Sequence, residues 1–179
     1  MIMFVGLSAS GVVLRRVRLV AGVAALAAGV AGCGSGGSKQ AGRPERGAFP
    51  CTPSYVHDGD TFRCTDGTRI RVAGINAREI AHEGAETHDN GCNPGAPCPQ
   101  VDAVAAREKL VRLLGTPGAI DDYGNEHVSG PPLSCDPNGM SYDRIAAFCF
   151  TGSGTDISCA MVAGGAAATW PRYWKDHRC

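Results

Sequence analysis

A chain of 179 residues, 44% hydrophobic and only 19% charged, holds enough apolar material for one packed domain and a tail. Lysine plus arginine and aspartate plus glutamate stand at 17 each, so no broadly basic face marks a histone-like DNA binder and no acidic tail stands out. Nine cysteines, with 25 glycines and 11 prolines, argue against a reduced cytosolic enzyme, a coiled coil and a multi-pass membrane protein.

Residues 1–32 read as an export signal. Arg15, Arg16 and Arg18 precede the alanine-rich run Leu19 to Val30, and small residues follow it. That run of roughly a dozen residues falls short of the about twenty that span a hydrocarbon core. Val30-Ala31-Gly32-Cys33 resembles a bacterial lipobox, which implies a lipid on Cys33, a membrane as partner, and a place in the cell envelope or outside the cell. Residues 33–48 are a Gly/Ser-rich flexible tether. Setting Cys33 aside leaves eight cysteines, an even set that closes into disulfides in an oxidising compartment. Without residues 1–32, which hold three arginines and no acid, 14 basic residues face 17 acidic ones, so any nucleic-acid contact is local.

The domain occupies residues 49–179. Tyr55 to His57, Thr61 to Thr65 and Arg69 to Ile75 are β-prone runs separated by Asp58-Gly59 and Asp66-Gly67. Asp-Gly between such runs predicts tight hairpin turns with positive φ at both central positions, and hence a three-stranded meander. Along the third strand, Ile70 and Val72 fall on the core face while Arg69 and Arg71 project outward. Asn90 to Pro99 is a Gly/Pro-rich loop. Asp102 to Leu114 reads as a helix capped by Asp102 and stopped by Gly115 and Pro117. Ala103, Ala106, Leu110 and Leu113 form its apolar stripe, with Arg107, Glu108 and Arg112 facing away. Tyr123 to Pro132 reads as a loop. Leu133 to Asp136 and Ile145 to Phe150 read as strands joined through Pro137-Asn138-Gly139. A short helix spans Ser158 to Ala163, and an aromatic, basic tail follows from Trp170 to Cys179.

Five short strands with a helix between the third and fourth predict a mainly β (α+β) fold, a five-stranded OB-type Greek-key barrel with two or three helices. Disulfides reinforce it. Proximity pairs Cys92 with Cys98; Cys135–Cys149, Cys51–Cys64 and Cys159–Cys179 are one choice among roughly a hundred connectivities. The five histidines show no paired metal-binding spacing, which disfavours zinc.

Three blocks carry chemistry: Asp58-Gly59-Asp60-Thr61, then Arg71 through Glu79, then Tyr142-Asp143-Arg144. Singly, Asp58 and Asp60 are ordinary turn residues, and a lone strand arginine is ordinarily solvated. Together they sit at strand ends that share one rim of a closed barrel. In this order the blocks resemble the staphylococcal nuclease (thermonuclease) family over about Cys51 to Tyr173. The resemblance implies a monomeric, calcium-dependent nuclease acting on DNA and/or RNA. It implies that Asp60 binds calcium with Asp58 behind it, that Arg71 and Arg144 grip the scissile phosphate, and that Glu79 acts on the attacking water. Tyr142 lies where the family has a tyrosine beside the phosphate, and Tyr173 where a ring packs near the nucleotide. The chain departs from the family at Asn76-Ala77-Arg78-Glu79, where the usual text is Asp-Thr-Pro-Glu or Asp-Ala-Pro-Glu. Calcium is then expected to bind more weakly, through Asp60, Asn76 and the Ala77 carbonyl, because a neutral amide replaces a charged ligand. A noncatalytic OB-fold nucleic-acid-binding module with a degraded metal site is the alternative.

Overall fold

The computed structural model describes residues 47–80 and 91–179. The export signal of residues 1–32, Cys33 and all but the last two residues of the tether lie outside the described residues. The first elements are strands β1 (Phe49–Cys51), β2 (Pro53–Asp58), β3 (Thr61–Cys64), β4 (Arg69–Val72) and β5 (Ile75–Asn76), followed by helix α1 (Ala103–Leu114). Strands β6 (Thr116–Ile120), β7 (Glu126–Ser129), β8 (Leu133–Ser141) and β9 (Arg144–Phe150) come next. The chain closes with α2 (Ile157–Ala163), β10 (Ala168–Thr169) and α3 (Pro171–Trp174).

Eight strands form one mixed sheet in the order β1-β8-β9-β4-β3-β2-β7-β6, and β5 pairs with β10 in a separate ladder. Only β4 and β9 run parallel; the other ladders are antiparallel. The meander β2-β3-β4 stands as read from the sequence. Thr52 alone separates β1, which pairs with β8, from β2, which pairs with β3 and β7.

The core is the face of this sheet that meets α1 and α2. Val56, Phe62, Ile70 and Val72 from the meander pack with Leu110, Val111, Leu114, Ile157 and Met161. On α1 the buried positions Ala103, Ala106, Arg107, Leu110, Val111 and Leu114 recur at helical spacing, and the Asp102 carboxylate caps the helix by accepting from Ala105 N at 2.9 Å. Four disulfides tie the loops and strands to that core: Cys51–Cys64, Cys92–Cys98, Cys135–Cys149 and Cys159–Cys179. They match the four expected pairs. Such bridges persist in an oxidising environment. Among the described residues no helix is long and apolar enough to cross a membrane.

Several expectations need correction. The described residues form ten strands rather than five: β1, β10 and the hairpin β6–β7 are additional, and the expected run Arg69 to Ile75 divides into β4 and β5. Pro117 and Gly118 hid β6, which tolerates them as an exposed edge strand needing no second ladder. Arg107 does not face away. It is buried, its Nε donating to Glu126 Oε2 at 3.2 Å and its Nη1 to the Gly124 carbonyl at 2.8 Å, so it pins the β6–β7 hairpin to α1. Pro137-Asn138-Gly139 is no turn but the irregular middle of β8; the turn falls at Tyr142-Asp143, with Tyr142 at φ 56°. Strand β1 covers only Leu133 to Cys135, so beyond it the proline's missing N–H costs no ladder bond. Neither Asp-Gly turn has positive φ at both positions: Gly67 alone has it at 89°. Gly59 is required for a different reason. A Cβ there would stand 2.7 Å from the Cβ atoms of both Ala106 and Ala77, so glycine lets the β2–β3 turn lie directly on α1.

Candidate active site

The β2–β3 turn is built around two carboxylates. Asp58 Oδ1 accepts from Asp60 N at 2.9 Å, folding the turn over itself and aiming the Asp60 side chain inward. Both Asp60 oxygens are engaged: Oδ2 accepts from Ala77 N at 2.8 Å, and Oδ1 accepts from Thr61 Oγ1 at 3.2 Å. The same Oδ1 forms a buried ion pair with Arg71 Nη1. Ala77 thus presents its N–H to the site.

Arg71 is 7% exposed and does not project outward as strand alternation suggests. The strand ends at Val72, the sheet turns away, and the guanidinium spans Asp60 and Asn76, with Nη2 3.3 Å from Asn76 Oδ1. Burial lowers its pKa to about 10, with Arg144 adding to the fall and Asp58 and Glu79 opposing it. It therefore keeps its charge at neutral pH. Arg144, from the start of β9, reaches the same cluster through Thr61: its Nη1 donates to Thr61 Oγ1 at 3.0 Å. Parallel pairing of β4 with β9 brings the two arginines to one end of the sheet.

Glu79 lies just past β5. Burial first, and the Asp58 carboxylate second, hold it above the ordinary carboxylate range, while Arg71 and the Asn93 amide pull it down. Asn93 was not singled out from the sequence, nor was Thr61 as a link between Asp60 and Arg144. Asn76 is fully buried. Its Oδ1 accepts from Arg71 and, at 3.1 Å, from Asn93, while its Nδ2 donates to the Pro97 carbonyl at 3.1 Å.

Arg71, Asn93 and Arg144 carry this cluster to the wall of a cleft of about 640 Å³. Arg71, Arg144, Arg172 and Lys175 line it, and among the described residues no carboxylate does. Tyr142 stands almost fully exposed at its rim. Tyr173, on α3, forms the opposite wall with Trp170, the two rings edge to face at 4.8 Å. The expected Asp60, Arg71, Asn76, Ala77, Glu79 and Arg144 are thus brought together, with Tyr142 and Tyr173 at the edges. Arg172 and Lys175 were legible only as part of a basic tail.

Asp60, Glu79 and Asn76 carry oxygens of the kind calcium takes, amide oxygen included, but both Asp60 oxygens and Asn76 Oδ1 already accept hydrogen bonds and Asp60 pairs with Arg71. A cation held by Asp60 and Asn76 shares those two residues with Arg71. Among the described residues one other cluster, Asp156, Cys159 and His177, has metal-ligand side chains, but the Cys159 sulfur is bonded to Cys179 and offers no thiolate. Its His177 Nε2 lies 2.7 Å from Asp156 Oδ2 and helps fasten the tail that carries the cleft wall.

No family model, curated protein or solved structure matches this chain.

Proposed function

We propose that the chain is an exported phosphodiesterase of the staphylococcal nuclease type, hydrolysing DNA and/or RNA with calcium on a closed five-stranded OB barrel. One observation carries this reading: a formally neutral chain gathers Arg71, Arg144, Arg172 and Lys175 in one cleft, with the Asp60 and Glu79 carboxylates close to Arg71 outside its lining. A polyanion is the ligand such a cleft selects. The barrel reading draws on β1 and β2, which act as one strand bent at Thr52, pairing with β8 at one end and β3 at the other. Cys51–Cys64 fastens that strand to β3 on the same circuit. Export and a lipid at Cys33 rest on the leader's sequence and agree with the four disulfides.

Arg71 and Arg144 hold the phosphate with paired N–H donors that match its oxygens and stay charged. Because they are fixed by Asp60, Asn76 and Thr61 before substrate arrives, they stabilise the charge that develops at phosphorus without reorganising. Glu79 accepts the proton of the attacking water as the P–O bond to the leaving oxygen breaks. Calcium on Asp60 and Asn76 would polarise a phosphoryl oxygen and orient water. Tyr142 and Tyr173 flank the chain of the substrate.

The test is digestion of plasmid DNA and RNA by the oxidised domain with calcium, magnesium or chelator. Cutting only with calcium is the expected result. Tight binding without cutting selects the binding module, and neither binding nor cutting removes the reading.

A further inference from the structure

We infer that Asn93 is a positioning residue for Glu79, and that the disulfide loop Cys92–Cys98 exists in this chain to present it. The inference rests on the nuclease reading of the site and adds a residue to it.

Glu79 follows the last residues of β5 and belongs to no strand or helix, so secondary structure does not orient its side chain. Three rotatable bonds separate its carboxylate from the backbone. Two side chains hydrogen-bond it: Asp58, from the β2–β3 turn, and Asn93, from a segment 14 residues further on. Asn93 Nδ2 donates to Glu79 Oε1 at 2.8 Å and to Asn76 Oδ1 at 3.1 Å. The two protons of one amide are both used, and Glu79 is fixed relative to Asn76, which itself accepts from Arg71. Asn93 also lines the cleft beside Arg71.

The loop around Asn93 has no helix or strand of its own, and its rigidity has other sources. The disulfide closes it across six residues. Inside the ring, Ala96 N donates to the Asn93 carbonyl at 3.0 Å and Gly95 takes φ 76°, closing a turn that Asn93 opens. The ring docks along the site segment: Glu79 N donates to the Gly91 carbonyl at 2.8 Å, Asn76 Nδ2 to the Pro97 carbonyl, and Arg78 Nε to the Pro99 carbonyl at 2.9 Å. The stapled loop and its flanks thus order the Asn76–Glu79 segment by hydrogen bonds.

The experiment compares wild type, Asn93→Ala, the staple-free pair Cys92→Ala/Cys98→Ala, and the triple variant. Steady-state hydrolysis of a short DNA oligonucleotide is measured with calcium, and Tm alongside. Positioning predicts that Asn93→Ala lowers kcat by on the order of 10²-fold, as misplacement of a reacting group does, with KM and Tm nearly unchanged. Loss of the staple produces a similar fall, and the triple variant falls no further, because both act through one carboxylate. A kcat within about twofold of wild type for Asn93→Ala, or full additivity of the two changes, overturns the inference. Where the staple-free protein does not fold, Asn93→Ala alone decides. Should wild type cut nothing, the nuclease reading fails, and the Asn93 side-chain amide protons decide the positioning by NMR. Slow solvent exchange of these protons, with one of them shifted by Glu79→Ala, supports it. Exchange at the rate of a solvated asparagine amide, with no response to Glu79→Ala, overturns it.

Discussion

At the scale of residues, the site is a set of groups that hold one another before any ligand arrives. Arg71 spans Asp60 and Asn76, Thr61 links Asp60 to Arg144, and Asn93 links Asn76 to Glu79. Glu79 carries the pH dependence. Burial and Asp58 raise its folded-state pKa above the unfolded value of about 4.3. A carboxyl group shifted upward stabilises the fold in its protonated form. Its contribution is complete below the unfolded pKa and is lost as pH rises through the folded one. Glu79→Gln stays neutral throughout, so its Tm should gain on wild type as pH is raised from about 4 to 8. A difference that does not change with pH contradicts this assignment. Of these residues, Asp60, Arg71, Glu79 and Arg144 were legible because each lies in a short block with recognisable neighbours. Asn93 was not. Its part depends on a loop folding back across 14 residues, and asparagine in a Gly/Pro-rich stretch reads as an ordinary turn residue.

At the scale of elements, local signals were reliable where capping and periodicity agree and unreliable where tertiary contacts decide. Asp102, the apolar stripe and Gly115 bounded α1 correctly. The same stripe logic failed for Arg107, because the helical face it occupies is covered by a hairpin the sequence concealed. Pro117 and Gly118 carry no strand signal, and the turn after them is organised by Asp121, whose Oδ1 accepts from Tyr123 N and Asn125 N. Arg107→Ala should therefore be far more damaging than its neighbour Arg112→Ala. It leaves Glu126 buried without its cation and releases the Gly124 carbonyl, at a cost of about 3–5 kcal/mol. Arg112 pairs with Glu108 in solvent, and its loss costs under about 1 kcal/mol. Denaturant unfolding of both variants measures the contrast, and equal losses contradict it. Gly59 shows the converse case. The Asp-Gly pair correctly marked a turn, but the reason for glycine is the close approach of α1 and not the sign of φ.

For the whole molecule, composition and cysteine count were informative and strand number was not. Of the disulfide pairs only Cys92–Cys98 was legible from proximity in one loop; Cys135 and Cys149 are direct cross-strand partners, while Cys159–Cys179 joins α2 to the tail across 20 residues, which no local signal fixes. Net charge, by contrast, says nothing about where the charges are placed. A zero total hides a cleft of Arg71, Arg144, Arg172 and Lys175, since acids are placed elsewhere or behind it. Two of those cations come from the chain's tail, which Cys159–Cys179 and the His177–Asp156 pair hold against Phe148, the His177 ring stacked on the phenyl ring at 3.8 Å. The cleft is thus assembled from the end of β4, the Asn93–Pro94 loop, the β8–β9 hairpin and a covalently fastened tail.

The central claim is that Arg71 and Arg144 act on a single phosphate group. Single-turnover hydrolysis of a defined oligonucleotide by wild type, Arg71→Ala, Arg144→Ala and the double variant tests it most directly. Each single change is predicted to lower the rate by roughly 10²- to 10³-fold, and the double variant to fall well short of the product of the two. Multiplicative losses, or a single variant that cuts at the wild-type rate, contradict the account.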